Sequence, residues 1–170
     1  MIDIDTLSKY LSVKLTTQEQ LKENEKMINQ LQNQPGYIKA CLTLACNIEN
    51  KYSEEVCLNA AIQLKNSIIE NWKSNKINLE EKSFIKASII DSILYTINKE
   101  DLKKLRIFNQ CLKNILKSDF LNDEFRNEFI NKLKQFFDSK NQNMIYAGII
   151  SFYQLSKLSE LSFKQEGIDE

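Results

Sequence analysis

The sequence predicts an all-α chain, and three observations carry that prediction. Apolar residues recur at three- and four-residue steps along nearly all of the 170 residues, without the strict alternation of a half-buried strand. Three glycines and one proline are too few for the turns of an all-β fold. Residues that cap helix starts stand just ahead of the apolar runs. The length fits one domain with a real core.

Eight helices follow, with ends placed to within a few residues. The first, about 3–12, puts Ile4, Leu7 and Leu11 on one face. The second, about 17–33, starts behind Thr16 or Thr17, with Glu19 or Gln20 at the capping-box offset. The third starts at Pro35, whose missing N–H costs nothing in a first turn, and turns Ile38, Leu42, Ala45 and Cys46 inward. The fourth, about 54–72, follows Ser53 and carries Cys57, Ala61, Leu64, Ile68 and Trp72. The fifth, about 79–97, opens at Asn78 and is lined by Ile85, Ile89, Ile93 and Leu94. The sixth, about 99–117, opens at Asn98 with Asp101 three residues on, and holds Leu102, Leu105, Leu112 and Leu116. The seventh, about 122–138, carries Phe125, Phe129, Leu133, Phe136 and Phe137. The eighth, about 142–158, carries Ile145, Ile149, Phe152 and Leu155, with Gly148 permitting close packing. A polar tail, 159–170, frays or begins a further helix.

The helices pair in order, and the second members start about 36–45 residues apart, near the period of HEAT and armadillo repeats. Several helices are apolar on more than one side, as a helix sandwiched between neighbours must be. The expected architecture is therefore a right-handed αα superhelix, a HEAT/armadillo-like solenoid of about four hairpins, favoured over the competing long polar helical bundle.

Composition excludes much chemistry. Without histidine there is no His-based acid–base catalysis and no His-containing triad, and the commonest metal ligand is missing. Three glycines cannot build a dinucleotide fingerprint or a P-loop. Cys41, Cys46, Cys57 and Cys111 include no CxxC and fall in apolar stretches, where a reduced thiol is a small hydrophobe. Glu54/Glu55 and Glu80/Glu81 are adjacent on helices, point about 100° apart and share no site, so no enzyme is expected. Net charge is zero, and Arg106 and Arg126 are the only arginines, which disfavours nucleic acid. No apolar run approaches a membrane span. Neither a cofactor nor a metal is expected.

What remains is surface. Helix two carries a polar strip of Glu19, Lys22, Glu23, Lys26, Gln30 and Asn33. Helix four carries Glu55, Asn59, Gln63, Asn66, Glu70 and Lys73, and helix six a mostly basic Lys103, Arg106, Gln110, Asn114 and Lys117. If the hairpins stack in register, the strips fall side by side on a face suited to a macromolecular partner.

Three segments resemble a known family: Asn33-Gln34-Pro35-Gly36-Tyr37, Leu64-Lys65-Asn66-Ser67-Ile68-Ile69-Glu70-Asn71-Trp72, and Ala147-Gly148-Ile149-Ile150-Ser151-Phe152-Tyr153-Gln154-Leu155. Their order and spacing resemble the N-terminal region of the importin-beta superfamily, the karyopherin nuclear transport receptors, from about residue 4 to 158. The third segment looks most like the importin-seven/importin-eight branch. Asn24 departs from the pattern, standing where the family usually has a small apolar residue.

The resemblance implies that residues 1–158 form an importin-beta N-terminal domain with the following HEAT repeats, part of a longer receptor. It implies a protein that shuttles between cytoplasm and nucleus. Inner helices would bind the GTP form of the small GTPase Ran, and outer helices the phenylalanine-glycine repeats of nucleoporins. Protein cargo would be held mostly by later repeats. Helices two, four and six would be the inner ones. The residues expected to meet Ran are Lys65 and Asn66, then Lys22, Lys26, Arg106, Gln110 and Lys113. The alternative is a HEAT-repeat scaffold without Ran dependence.

Overall fold

The computed structural model describes residues 2–12 and 17–166, the last eight by their backbone alone. Among the described residues there are eight helices and no strand. They are α1 (Ile4–Ser12), α2 (Gln18–Gln32), α3 (Tyr37–Cys46), α4 (Glu54–Asn71), α5 (Leu79–Asn98), α6 (Leu102–Asp119), α7 (Asp123–Phe137) and α8 (Gln142–Glu166). The all-α, HEAT-like reading holds.

Side chains start most of these helices by accepting an orphan first-turn N–H. Thr17 accepts from Gln20 N, Ser53 from Val56 N, Asn122 from Phe125 N, and Asn78 from Glu81 N at 2.8 Å. Thr16, the other candidate cap of α2, lies outside the described residues. The expected start of α6 is corrected. Asn98 ends α5, and Asp101 caps α6 by accepting from Lys104 N. Between them, Glu100 takes a left-handed φ of 55°, and Asp101 N donates back to Thr96 O at 2.9 Å.

α3 starts differently. Pro35 is in the preceding turn rather than the first helical turn, and Gly36 caps α3 at φ 92°, a conformation that costs an L side chain about 1–2 kcal/mol. Asn47 ends α3 at φ 44°, also left-handed, the usual way to terminate a helix. α8 continues through Glu166, past the expected end near 158; no glycine or proline interrupts residues 149–166.

Two compact units divide the chain, Met1–Ala87 and Ser88–Glu170, with the boundary inside α5. In the first, α3 is central: eight of its 10 residues are buried, against α4 chiefly and against α1 and α2. Leu44, Leu64, Ile68 and Ile85 are fully buried there, each worth about 1.5–3 kcal/mol of transfer free energy. Trp72 is 3% exposed and belongs to this core.

In the second unit α8 packs on α7, its hairpin partner, and on α6, the second helix of the preceding hairpin. Second helices touching across consecutive hairpins is the contact pattern of stacked repeats. Phe108, Leu112, Ile115, Phe125, Phe129, Leu133 and Phe136 fill this core. Lys132 Nζ pairs with Asp91 at 2.8 Å, and Asn143 Nδ2 donates to Asn98 Oδ1 at 2.9 Å, tying α7 and α8 to the second half of α5.

Four residues expected to face inward do not. Leu102 is exposed in the first turn of α6. On α8, Ile149 and Phe152 face outward at 52% each, and Phe137 at the end of α7 is 41% exposed. The inward face of α8 is made of Ala147, Gly148 and Ser151. A Cβ at Gly148 would stand 3.0 Å from Phe137 Cε1 and 3.3 Å from Phe136 Cβ. The small face lets the helix backbones approach, and the large side chains are displaced to the other side.

Candidate partner-binding surface

α2 is the most exposed helix of the first unit, burying Leu31 alone. Its open face is a shallow depression lined by Lys22, Glu25, Lys26, Asn29, Gln30 and Asn33, residues spaced to share one side of a helix. Lys22 and Lys26 are both exposed there, as the sequence strip predicts.

α4 divides its polar arc between two tasks. Asn59 Nδ2 donates to Leu11 O at 3.0 Å and so holds the end of α1. Gln63 Oε1 accepts from Gln32 Nε2 at 3.1 Å and from Tyr37 Oη at 3.3 Å, joining α2, α3 and α4. Those two strip residues are therefore structural. Glu55, Glu70 and Lys73 are exposed, and Asn66 is half-buried beside them. Lys65, also half-buried, flanks the apolar stripe of Leu64 and Ile68.

α6 presents the most uniform face of the second unit. At about 100° per residue, Lys103, Arg106, Gln110, Lys113, Asn114 and Lys117 fall within roughly one third of the helix circumference. Leu105, Phe108, Cys111, Leu112, Ile115 and Leu116 fill the opposite face. Arg106, Gln110 and Lys113 are all exposed. No carboxylate among the described residues pairs with Lys22, Lys26, Lys65, Arg106 or Lys113. These cations are open to an acidic partner, whose contact steers association more than it sets affinity. The exception on α6 is Lys104, only 4% exposed and paired with Asp101 at 3.0 Å. Its burial is invisible in the sequence, where it reads as one more lysine of a basic run.

The candidate residues are thus placed on exposed or half-exposed faces, three of them on α6 in the second unit and four on α2 and α4 in the first. The geometry also explains the motif segments. Gly36 supplies the left-handed entry and Tyr37 the buried hydroxyl that reaches Gln63. Leu64, Ile68 and Trp72 are one buried stripe.

All four cysteines are buried and none is in a disulfide, and burial pushes the Cys41 thiol up to about 12, so it stays protonated at neutral pH. Among the described residues, no group of acidic or cysteine side chains could hold a metal ion, and no helix is long and apolar enough to cross a membrane. The Asp5 carboxylate has a structural role. Asp5 accepts from Lys51 Nζ at 2.8 Å and from Tyr52 Oη at 2.6 Å, which holds its carboxyl below the usual range and pins α1 to the α3–α4 loop.

Residues 24–95 match the family model of the importin-beta N-terminal domain. The matched segment runs from within α2 into α5 and includes Lys26, Lys65 and Asn66; Lys22 and the α6 residues lie outside it. Among curated proteins and among solved structures, nothing matches significantly.

Proposed function

We propose that this chain is the N-terminal part of a nuclear transport receptor of the importin-beta superfamily, akin to its importin-seven/importin-eight branch. In this reading it binds Ran-GTP and helps carry protein cargo through the nuclear pore. The observation that carries the reading is the family match over residues 24–95, which contains two of the three motif segments.

No bond is made or broken by this chain in such a role; hydrolysis belongs to the GTPase. The work is differential binding. Switch segments ordered by a γ-phosphate present a shape that is lost on hydrolysis, so a rigid surface fitting only the ordered form discriminates the two states. Lys65 and Asn66 on α4, with Lys22 and Lys26 on α2, would meet the GTPase, as would Arg106, Gln110 and Lys113 on α6. The cations pair acidic side chains, and Asn66 and Gln110 bond backbone groups. If GTPase binding weakens cargo binding, cargo weakens GTPase binding by the same factor. Phenylalanine-glycine repeats would dock on outer helices, and the protein would shuttle between cytoplasm and nucleus.

The test is capture of this chain by immobilised Ran loaded with a GTP analogue or with GDP. Capture by the first alone is expected. Lys65→Glu should weaken it by on the order of tenfold, about 1.4 kcal/mol. Equal capture by both forms would instead favour a HEAT-type scaffold blind to nucleotide state, and no capture by either would remove Ran from the reading.

A further inference from the structure

We propose that the exposed stripe of α6 is a docking site for an acidic helix of a protein partner. This names the chemistry that the α6 part of the proposed partner surface selects, and so rests on that surface being used. Its test contains no GTPase, so it can fail while capture by Ran succeeds, and the reverse.

Charge is segregated at α6. From Leu102 to Ser118 there are five cations, Lys103, Lys104, Arg106, Lys113 and Lys117, and no carboxylate. Lys104 is buried and pairs with Asp101. The other four are exposed, and no carboxylate among the described residues pairs with them. Their openness does not come from a missing neighbour. The hairpin that follows α6 is in place, with α8 packed on α6, and the stripe is still uncovered.

The spacing of the stripe fixes the shape of the occupant. Lys103, Arg106, Gln110, Lys113 and Lys117 follow one another at steps of three, four, three and four residues. Such a row drifts only about 20° per seven residues, so it runs nearly straight along the helix for about 21 Å. Helix neighbours three or four apart stand about 5–6 Å from one another, so the five form one continuous row. A partner helix laid alongside, with glutamates or aspartates at the same steps, sets a carboxylate near each cation. Charged positions beside a coiled-coil seam choose their partners in this way. Leu102, 64% exposed one turn ahead of Arg106, offers that helix an apolar contact at one end.

The kind of charge argues against a nucleic acid. Phosphate recognition favours the two-pronged guanidinium, and the stripe has one arginine. A polyanion also asks for a broad basic footprint, whereas α7, the next helix, exposes Asp123, Glu124 and Glu128. An acidic helix is narrow enough to meet α6 alone.

An NMR titration of the 170-residue chain at low salt tests this. The probe is an alanine-rich helical peptide with glutamates at three- and four-residue steps and one leucine. Amide signals along α6 should move and those of α2 should not. The Kd should be roughly 0.1–1 mM, the sum of a few exposed ion pairs and one apolar contact. Raising the salt to about 0.2 M should weaken binding about fivefold or more. Arg106→Glu/Lys113→Glu should weaken it at least about tenfold with unchanged helicity, because both side chains are exposed. Lys22→Glu/Lys26→Glu on α2 should bind the peptide as the wild type does. The proposal is overturned by an unmoved α6 at millimolar peptide, or by an Arg106→Glu/Lys113→Glu variant that binds normally. Equal binding of a peptide with its glutamates scattered around the helix also overturns it, as does tighter binding of a DNA duplex.

Discussion

α3 and α8 are both apolar on more than one side, yet they are covered very differently. α3 has Leu44, Ala45 and Cys41 fully buried, with α1, α2 and α4 around it. α8 gives its small residues to α6 and α7 and leaves its large ones half open. An all-round apolar helix in sequence thus says how many sides need partners. It does not say whether the same fold supplies them. The contrast is also visible at the ends: α3 enters and leaves through left-handed residues, Gly36 and Asn47, that let the chain turn sharply inside its unit.

The largest expected effect breaks the covered side of this comparison. Leu44→Ala should cost about 2–5 kcal/mol in chemical denaturation, since Leu44 is fully buried and its removal leaves a cavity in the core. Tyr153→Ala on α8 should change stability by less than about 0.5 kcal/mol. Similar losses from the two would mean that α8 is as enclosed as α3.

Next comes Asn47. Its Oδ1 accepts from Lys51 N and Tyr52 N, and its Nδ2 donates to Tyr52 O. Asn47→Ala should cost about 2–3 kcal/mol, at about 1 kcal/mol for each lost bond. Asn47→Gly should recover roughly 1 kcal/mol of that, the strain of a left-handed L residue. An equal loss in both variants would show that the side chain alone matters.

Gly148 sharpens the α8 side. Gly148→Ala should be near neutral, because helix propensity gains about 1 kcal/mol while Phe136 and Phe137 must give way. Gly148→Leu should cost about 1–3 kcal/mol, read as a lower denaturation midpoint, through overpacking against α7. A harmless leucine would show that α8 sits farther from α7 than the packing requires.

The smallest effect concerns the cover of α3. Asp5 has its pKa lowered from 3.8, first by Lys51 and then by Tyr52. Its contribution is present above the unfolded value and is lost as pH falls through the lower folded one. Asp5→Asn should lower the melting temperature slightly at pH 7, and the difference from wild type should vanish as pH drops below about 3.8. A difference that persists in acid would assign the effect to packing.

The helices were legible because their caps and apolar steps are local. Thr17, Ser53 and Asn78 act as the sequence suggests. Asn98 misled because Asp101 three residues on imitates a capping partner, while Asp101 is itself the cap. The inward face of α8 was not legible, since periodicity weighs large apolar residues and close helix contact selects small ones. Lys22, Lys26, Arg106, Gln110 and Lys113 could be placed on open faces by their charge and spacing. The division of α4 could not, because the bonds of Asn59 and Gln63 reach residues 48 and 31 positions away.

Trp72 is the chain's single tryptophan, and it is buried in the first unit. Its fluorescence is therefore an optical label, already in place, that reports on that unit alone. Circular dichroism sums over every helix. If the two signals change together on heating, the halves melt as one cooperative body. If the indole emission shifts at its own temperature, the point within α5 where the units divide is also where cooperativity ends.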